Sequence, residues 1–209
     1  MKKICITGGI ACGKSEVGKM IESYGFPVLD TDVVAHRILE SDLMLTRVLF
    51  SEFGKRIIDQ KNGSINRKEL SKIVFENKKS LDLLNGLIHP KILCYTHLWT
   101  NLMEKIYPKQ LFCFCIIPLV FETKDQDKWD RIICVYSNKS IQKSRIKMRG
   151  LNDEEIAQRI NSQIDIEEKV KNSHLIIENN NGTIEDLDKK VIDVINILKQ
   201  WHDCNYMDY

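Results

Sequence analysis

Apolar residues gather into five short runs separated by stretches in which they recur every three or four positions. Lys3 to Thr7, Phe26 to Leu29, Leu111 to Ile117, Arg131 to Tyr136 and Leu175 to Glu178 are rich in β-branched or aromatic residues. Such runs predict strands buried on both faces. After Ser15 the period lengthens, and Val17, Met20, Ile21 and Tyr24 share one helical face that Gly25 stops. From Val33 to about Pro108 the pattern is almost wholly helical. It holds an Asn62–Gly63 turn, a capping box at Asn66 and Glu69, and an apolar face through Leu81, Leu84, Leu87 and Ile88. A basic helix carries Arg145 and Arg149 to a stop at Gly150, and a second helix is capped by Asn152 and Glu155. The last helix, Thr183 to about Trp201, turns Leu187, Val191, Val194, Ile195 and Leu198 to the core. Strands alternating with helices predict an α/β fold with a five-stranded parallel sheet and one helical insertion, at about 41–108. No linker rich in Pro, Gly or Ser divides the chain, so 1–209 reads as a single domain.

The first strand runs into Gly8, Gly9, Ile10, Ala11, Cys12, Gly13, Lys14 and Ser15, which match the phosphate-binding loop pattern at every fixed position. The glycines allow close backbone approach, so that N–H groups converge on phosphate oxygens at a helix start. Lys14 neutralises β- and γ-phosphate charge in this arrangement, and the Ser15 hydroxyl ligates Mg²⁺. Cys12, beside a helix N-terminus, is expected to have a lowered pKa and raised reactivity. The second strand ends on the carboxylates Asp30 and Asp32. Asp32 suits either a general base or an N-cap for a helix beginning at Val33, and Asp30 a strand end or a water-mediated contact to Mg²⁺.

Composition narrows the ligand class. Basic and acidic residues number 31 and 29, a net charge of +2, which lacks the positive excess of a nucleic-acid binder and points to small polyanions. Neither a signal peptide nor an apolar stretch of about 20 residues is visible, so a cytoplasmic protein without a membrane partner is expected. The seven cysteines include no CxxC pair, and Cys5, Cys113, Cys115 and Cys134 sit in strand-like runs, which predicts buried free thiols.

Gly8 to Ser15, Val28-Leu29-Asp30-Thr31-Asp32, His89-Pro90 and Pro118-Leu119-Val120-Phe121-Glu122 occur in the order seen in dephospho-CoA kinases, and the chain resembles that family throughout. The similarity extends to Phe53-Gly54, Val74-Phe75, the Arg145 and Arg149 spacing, Arg159-Ile160 with Gln163, and Ile177 with Asn179. The resemblance implies a P-loop NTPase-type sheet with strand order 2-3-1-4-5, an inserted helical domain receiving the acceptor, and a mobile lid at about 140–155. It implies ATP-dependent phosphorylation of the ribose 3′-hydroxyl of dephospho-CoA, the final step of coenzyme A biosynthesis. Asp32 matches the family's catalytic base, and Lys14 and Arg145 are the other catalytic candidates. The nucleotide contacts would come from Gly8 to Ser15, Glu16 and Arg149, and the acceptor contacts from Asp32, His89, Pro90, Pro118, Leu119 and Glu122. Another small-molecule kinase of the nucleoside-monophosphate type is the alternative, and a P-loop ATPase or switch a further one. His36 stands where the family commonly has arginine, Glu16 where it has threonine, and Ser173-His174 where Ala-Asp is common.

Overall fold

The computed structural model describes residues 1–59, 63–148, 150 and 153–206. Strands β1 (Lys2–Gly8), β2 (Val28–Asp30), β3 (Phe112–Ile116), β4 (Arg131–Tyr136) and β5 (Leu175–Glu178) form one parallel sheet in the order β2-β3-β1-β4-β5. This is the order the resemblance implied. β1 pairs on both edges, placing Cys5 between Cys115 and Ile132.

Successive side chains of a strand point to opposite faces, so each buried run supplies two cores. Ile4, Ile6, Phe112 and Phe114 pack with Val17 and Ile21 of α1 (Lys14–Ser23) and with Leu187, Val191 and Ile195 of α9 (Ile184–Tyr206). Phe26 meets Phe114 edge-on at 5.6 Å between ring centres. Cys5 and Ile132 turn the other way, onto Val120 and Trp129.

The chain divides into two compact units, one holding Met1–Asp30 with the chain from Thr100 onward, the other Thr31–Trp99. The second unit is helical: α2 (Thr31–Ser41), α3 (Leu43–Phe53), a 3₁₀ turn at Lys55–Ile57, α4 (Arg67–Glu76) and most of α5 (Lys78–Ile106). Its own core comprises Leu39, Leu45, Leu49, Ile57, Ile65, Leu70, Val74 and Ile88. The unit starts earlier than the expected position of about 41, because α2 packs Ala35, Ile38 and Leu39 into this core. Asp42 caps α3 by accepting from Leu45 N at 2.9 Å and pairs with Lys91 at 2.7 Å; this ion pair, then the cap, holds its carboxyl below the usual range. Half of the expected capping box forms: Asn66 accepts from Glu69 N at 3.2 Å, but Glu69 turns to Lys72 at 2.9 Å while Asn66 N donates to Ile57 O. Asn62 of the predicted turn and Asn152 of the predicted cap lie outside the described residues.

Two local features depart from simple rules. His89 and Pro90 both lie inside α5. An interior proline costs about 3 kcal/mol or more, but Leu84, Leu87, Ile88 and Ile92 bury on either side of it and hold the helix through that position. A short helix, α8 (Ile166–Lys171), also stands where no element was expected; Asp165 caps it by accepting from Glu167 N at 3.1 Å.

Candidate active site: a clamped phosphate cradle

The loop from Gly8 to Gly13 leaves β1 and opens α1, and steric room explains its glycines. A Cβ on Gly8 would stand 2.2 Å from Val135 O, and one on Gly13 would stand 2.3 Å from Asn179 Nδ2; both residues have positive φ, 146° and 94°. Ala11 also has a left-handed φ of 57°, which costs a non-glycine residue about 1–2 kcal/mol. Outside groups hold the loop in this shape. Arg145 Nη1 donates to Ala11 O at 3.3 Å, Asn179 Nδ2 to Cys12 O at 2.9 Å, and Ile10 N donates to Gln163 Oε1 at 3.1 Å. Lys14 Nζ folds back over the loop to Gly8 O at 3.1 Å and Gly9 O at 2.8 Å. First-turn N–H groups of a helix have no intrahelical carbonyl, so the start of α1 offers donors and a positive dipole end to an anion.

Ser15 Oγ donates to Asp30 Oδ2 at 3.1 Å, setting a hydroxyl and a carboxylate side by side at the mouth of this loop. Hard oxygen donors of this kind suit Mg²⁺. Glu16 points away from that task, pairing with Lys19 at 3.6 Å on the exposed side of α1. Asp32 neither ends a strand nor caps a helix: β2 stops at Asp30, and Asp32 sits in the first turn of α2, which begins at Thr31. A carboxylate there is favoured by the helix dipole.

The basic segment differs from a solvated lid face. Asn138 caps α6 (Lys139–Lys147) by accepting from Ile141 N at 3.0 Å. Arg145 on this helix reaches Ser137 Oγ at 3.1 Å, Asn179 Oδ1 at 3.2 Å and Asn180 O at 3.4 Å besides Ala11. Five converging donors on a planar fork explain how one guanidinium serves all four acceptors. Arg145 is thus a clamp on the cradle, and Arg149 lies outside the described residues. Behind it, Ser137 Oγ donates to Asn179 O at 2.6 Å and Gln142 Nε2 to Ser137 O at 2.7 Å.

Cys12 corrects the expectation of a reactive thiol. Its side chain is fully buried, and desolvation outweighs the nearby Lys14 ammonium, pushing its pKa up. Burial likewise raises Cys113 to about 11 and Cys134 to about 12.

At the C-terminal end of β3, the loop Pro118 to Glu122 looks inward. Pro118 O accepts from Thr7 Oγ1 at 3.2 Å and Lys169 Nζ at 2.6 Å. Leu119 O accepts from Thr123 N at 2.9 Å. Glu122 Oε1 accepts from Lys169 Nζ at 2.7 Å and from Ile164 N at 3.0 Å, so the carboxylate expected to contact the acceptor is engaged inside the unit. Removing one partner of a buried pair costs about 3–5 kcal/mol, because the other charge is stranded. His89 and Pro90 lie in the helical unit.

A sequence profile for dephospho-CoA kinase matches residues 3–185. A dephospho-CoA kinase of Fusobacterium nucleatum is 42% identical over 189 residues, covering 90% of this chain and 94% of the relative. The chain belongs to the dephospho-CoA kinase family. A dephospho-CoA kinase structure from Campylobacter jejuni, 34% identical, covers 95% of this chain and 97% of its own, with a TM-score of 0.69. A shikimate kinase from Acinetobacter baumannii, 16% identical with a TM-score of 0.50 and 95% coverage of both chains, shares the fold alone.

The groups that shape the cradle were only partly visible beforehand. Asn179 and Gln163 stood in the resemblance without a role, Gln142 and Ser137 gave no signal, and Lys169 was passed over. Its signal was present: Lys169 stands on the apolar stripe of α8 between Ile166 and Val170, where a lysine needs a buried partner.

Proposed function

We propose that the chain transfers the γ-phosphoryl group of ATP to the ribose 3′-hydroxyl of dephospho-CoA, giving CoA and ADP, and that it does so in the cytosol. The observation that carries this reading is the Ser15–Asp30 oxygen pair beside a clamped glycine cradle that holds Lys14, in a chain of this family. No helix among the described residues is long and apolar enough to cross a membrane.

Phosphoryl transfer asks the protein mainly for positioning and charge neutralisation. The loop N–H groups and the start of α1 bind the phosphates, and Lys14 swings from the Gly8 and Gly9 carbonyls to the γ-phosphate. Ser15 and Asp30 would hold Mg²⁺, which would supply compensation for the charge of the phosphates. Asp32 accepts the proton of the 3′-hydroxyl. It is two residues from Asp30, so chain length alone keeps their Cα atoms within about 7 Å. Arg145 serves by keeping Ala11 and Cys12 in shape.

Incubation with ATP and Mg²⁺ against dephospho-CoA, nucleoside monophosphates and shikimate, followed by mass and phosphorus NMR analysis of the products, tests the reading. Phosphate should appear on dephospho-CoA alone, at the 3′ position. Phosphorylation of a nucleoside monophosphate in its place would overturn the assignment.

A further inference from the structure

Gln163 and Ile164 are adjacent in the chain, between α7 (Asp153–Asn161) and α8, yet they are tied to different parts of the nucleotide unit. The Gln163 side chain accepts from the backbone N–H of Ile10, inside the phosphate cradle. The backbone N–H of Ile164 donates to Glu122 Oε1 in the loop after β3. That oxygen also takes Lys169 Nζ, whose second bond is to Pro118 O, and Thr7 Oγ1 at the end of β1 donates to the same carbonyl. Lys169 is fully buried and the Glu122 side chain only 16% exposed.

We propose that Glu122 and Lys169 are positioning residues for ATP: through Ile164 they fix Gln163 against Ile10 N–H, and so hold the edge of the phosphate cradle. The inference rests on the kinase reading above. Holding the backbone at Ile164 fixes where the Gln163 side chain starts, which removes the backbone part of the entropy lost when it binds Ile10. A buried ion pair adds little stability over apolar residues of the same volume, so its contribution here is directional. Glu122 Oε2 is buried and has no hydrogen-bond partner among the described residues, consistent with a carboxylate placed for the geometry of its other oxygen. The same pair accounts for Lys169 standing on an apolar helix stripe. It also separates two roles for Glu122, because a contact with the acceptor and a strut beneath the nucleotide affect different substrates.

The test measures ADP affinity by calorimetry and both KM values by steady-state kinetics. It compares wild type, Gln163→Leu, Glu122→Leu/Lys169→Met, and the three changes combined. The paired substitution removes both charges together, which keeps the interior apolar and the chain folded. Gln163→Leu and the pair should each weaken ADP and raise KM for ATP about three- to tenfold, the range of one lost hydrogen bond. KM for dephospho-CoA should stay within about twofold, and the combined variant should be no worse than the weaker of the other two, since all act through one link. Unchanged ADP affinity in Gln163→Leu, additive effects, or a raised KM for dephospho-CoA with ATP unaffected would each overturn the proposal. Should wild type bind ADP without phosphorylating dephospho-CoA, the kinase reading fails while the ADP titrations still decide this one.

Discussion

Arg145 and Asn179 meet at 3.2 Å, and each holds one carbonyl of the phosphate loop, Ala11 from the guanidinium and Cys12 from the amide. The pair therefore sustains the left-handed turn at Ala11, whose φ is 57°. Arg145→Lys keeps the charge but loses the planar fork, so it cannot serve Ala11, Ser137, Asn179 and Asn180 together. We expect a loss of about 1–3 kcal/mol in stability and a raised KM for ATP. Thermal melts with and without ADP check this, and a variant matching wild type in both would remove the clamp from the account.

Asp32→Asn separates catalysis from helix stability. In the first turn of α2 the carboxylate gains about 0.3–1 kcal/mol from the dipole, so its loss should lower Tm by only a few degrees. The kcat should fall by about 10²–10⁴, the contribution of a positioned base. A sharp fall in Tm with near-normal kcat would move the base elsewhere.

The strands were legible because each is a short buried run, and Arg131–Tyr136 and Leu175–Glu178 appear with the bounds the sequence predicts. The glycine loop was legible because its spacing is fixed by phosphate geometry. What escaped depends on partners far away in sequence. Asn179 meets Cys12 across 167 positions, and nothing local to Arg145 distinguishes a clamp from a solvated basic face. Pro90 is the opposite case, in which the local rule that bars proline from a helix interior is overridden by packing on either side of it.

Thiol labelling follows burial. Cys94 and Cys204 are exposed, whereas Cys5, Cys12, Cys113, Cys115 and Cys134 are buried with raised pKa. Iodoacetamide on the native protein near pH 8 should add two groups by mass spectrometry and leave Cys12 intact with or without ATP. Rapid modification of Cys12, slowed by ATP, would contradict the burial of that side chain.

His174 should give the fold a modest sensitivity to mild acid. The residue is exposed, so solvent screens the effect, but partial desolvation, then the neighbouring Arg131 charge, lowers its pKa, and its Nδ1 accepts from Ile132 N at 3.0 Å, a bond that protonation destroys. The unfolded chain takes up this proton from about pH 6.5 downward while the native state resists, so stability present above that pH is lost as pH falls. Between pH 7.5 and 5.5 the Tm of wild type should drop more than that of His174→Asn, whose amide oxygen can still accept the bond. Parallel Tm curves for the two proteins would rule this out.

The most direct measurement is ADP release from Mg-ATP, with and without dephospho-CoA, in wild type and Lys14→Ala. A kinase that uses the cradle as described should form ADP rapidly only when dephospho-CoA is present. Lys14→Ala should lose about 10²-fold or more in kcat, the scale of a single electrostatic donor. ADP formation indifferent to dephospho-CoA, or a folded Lys14→Ala enzyme turning over like wild type, would contradict the account at its centre.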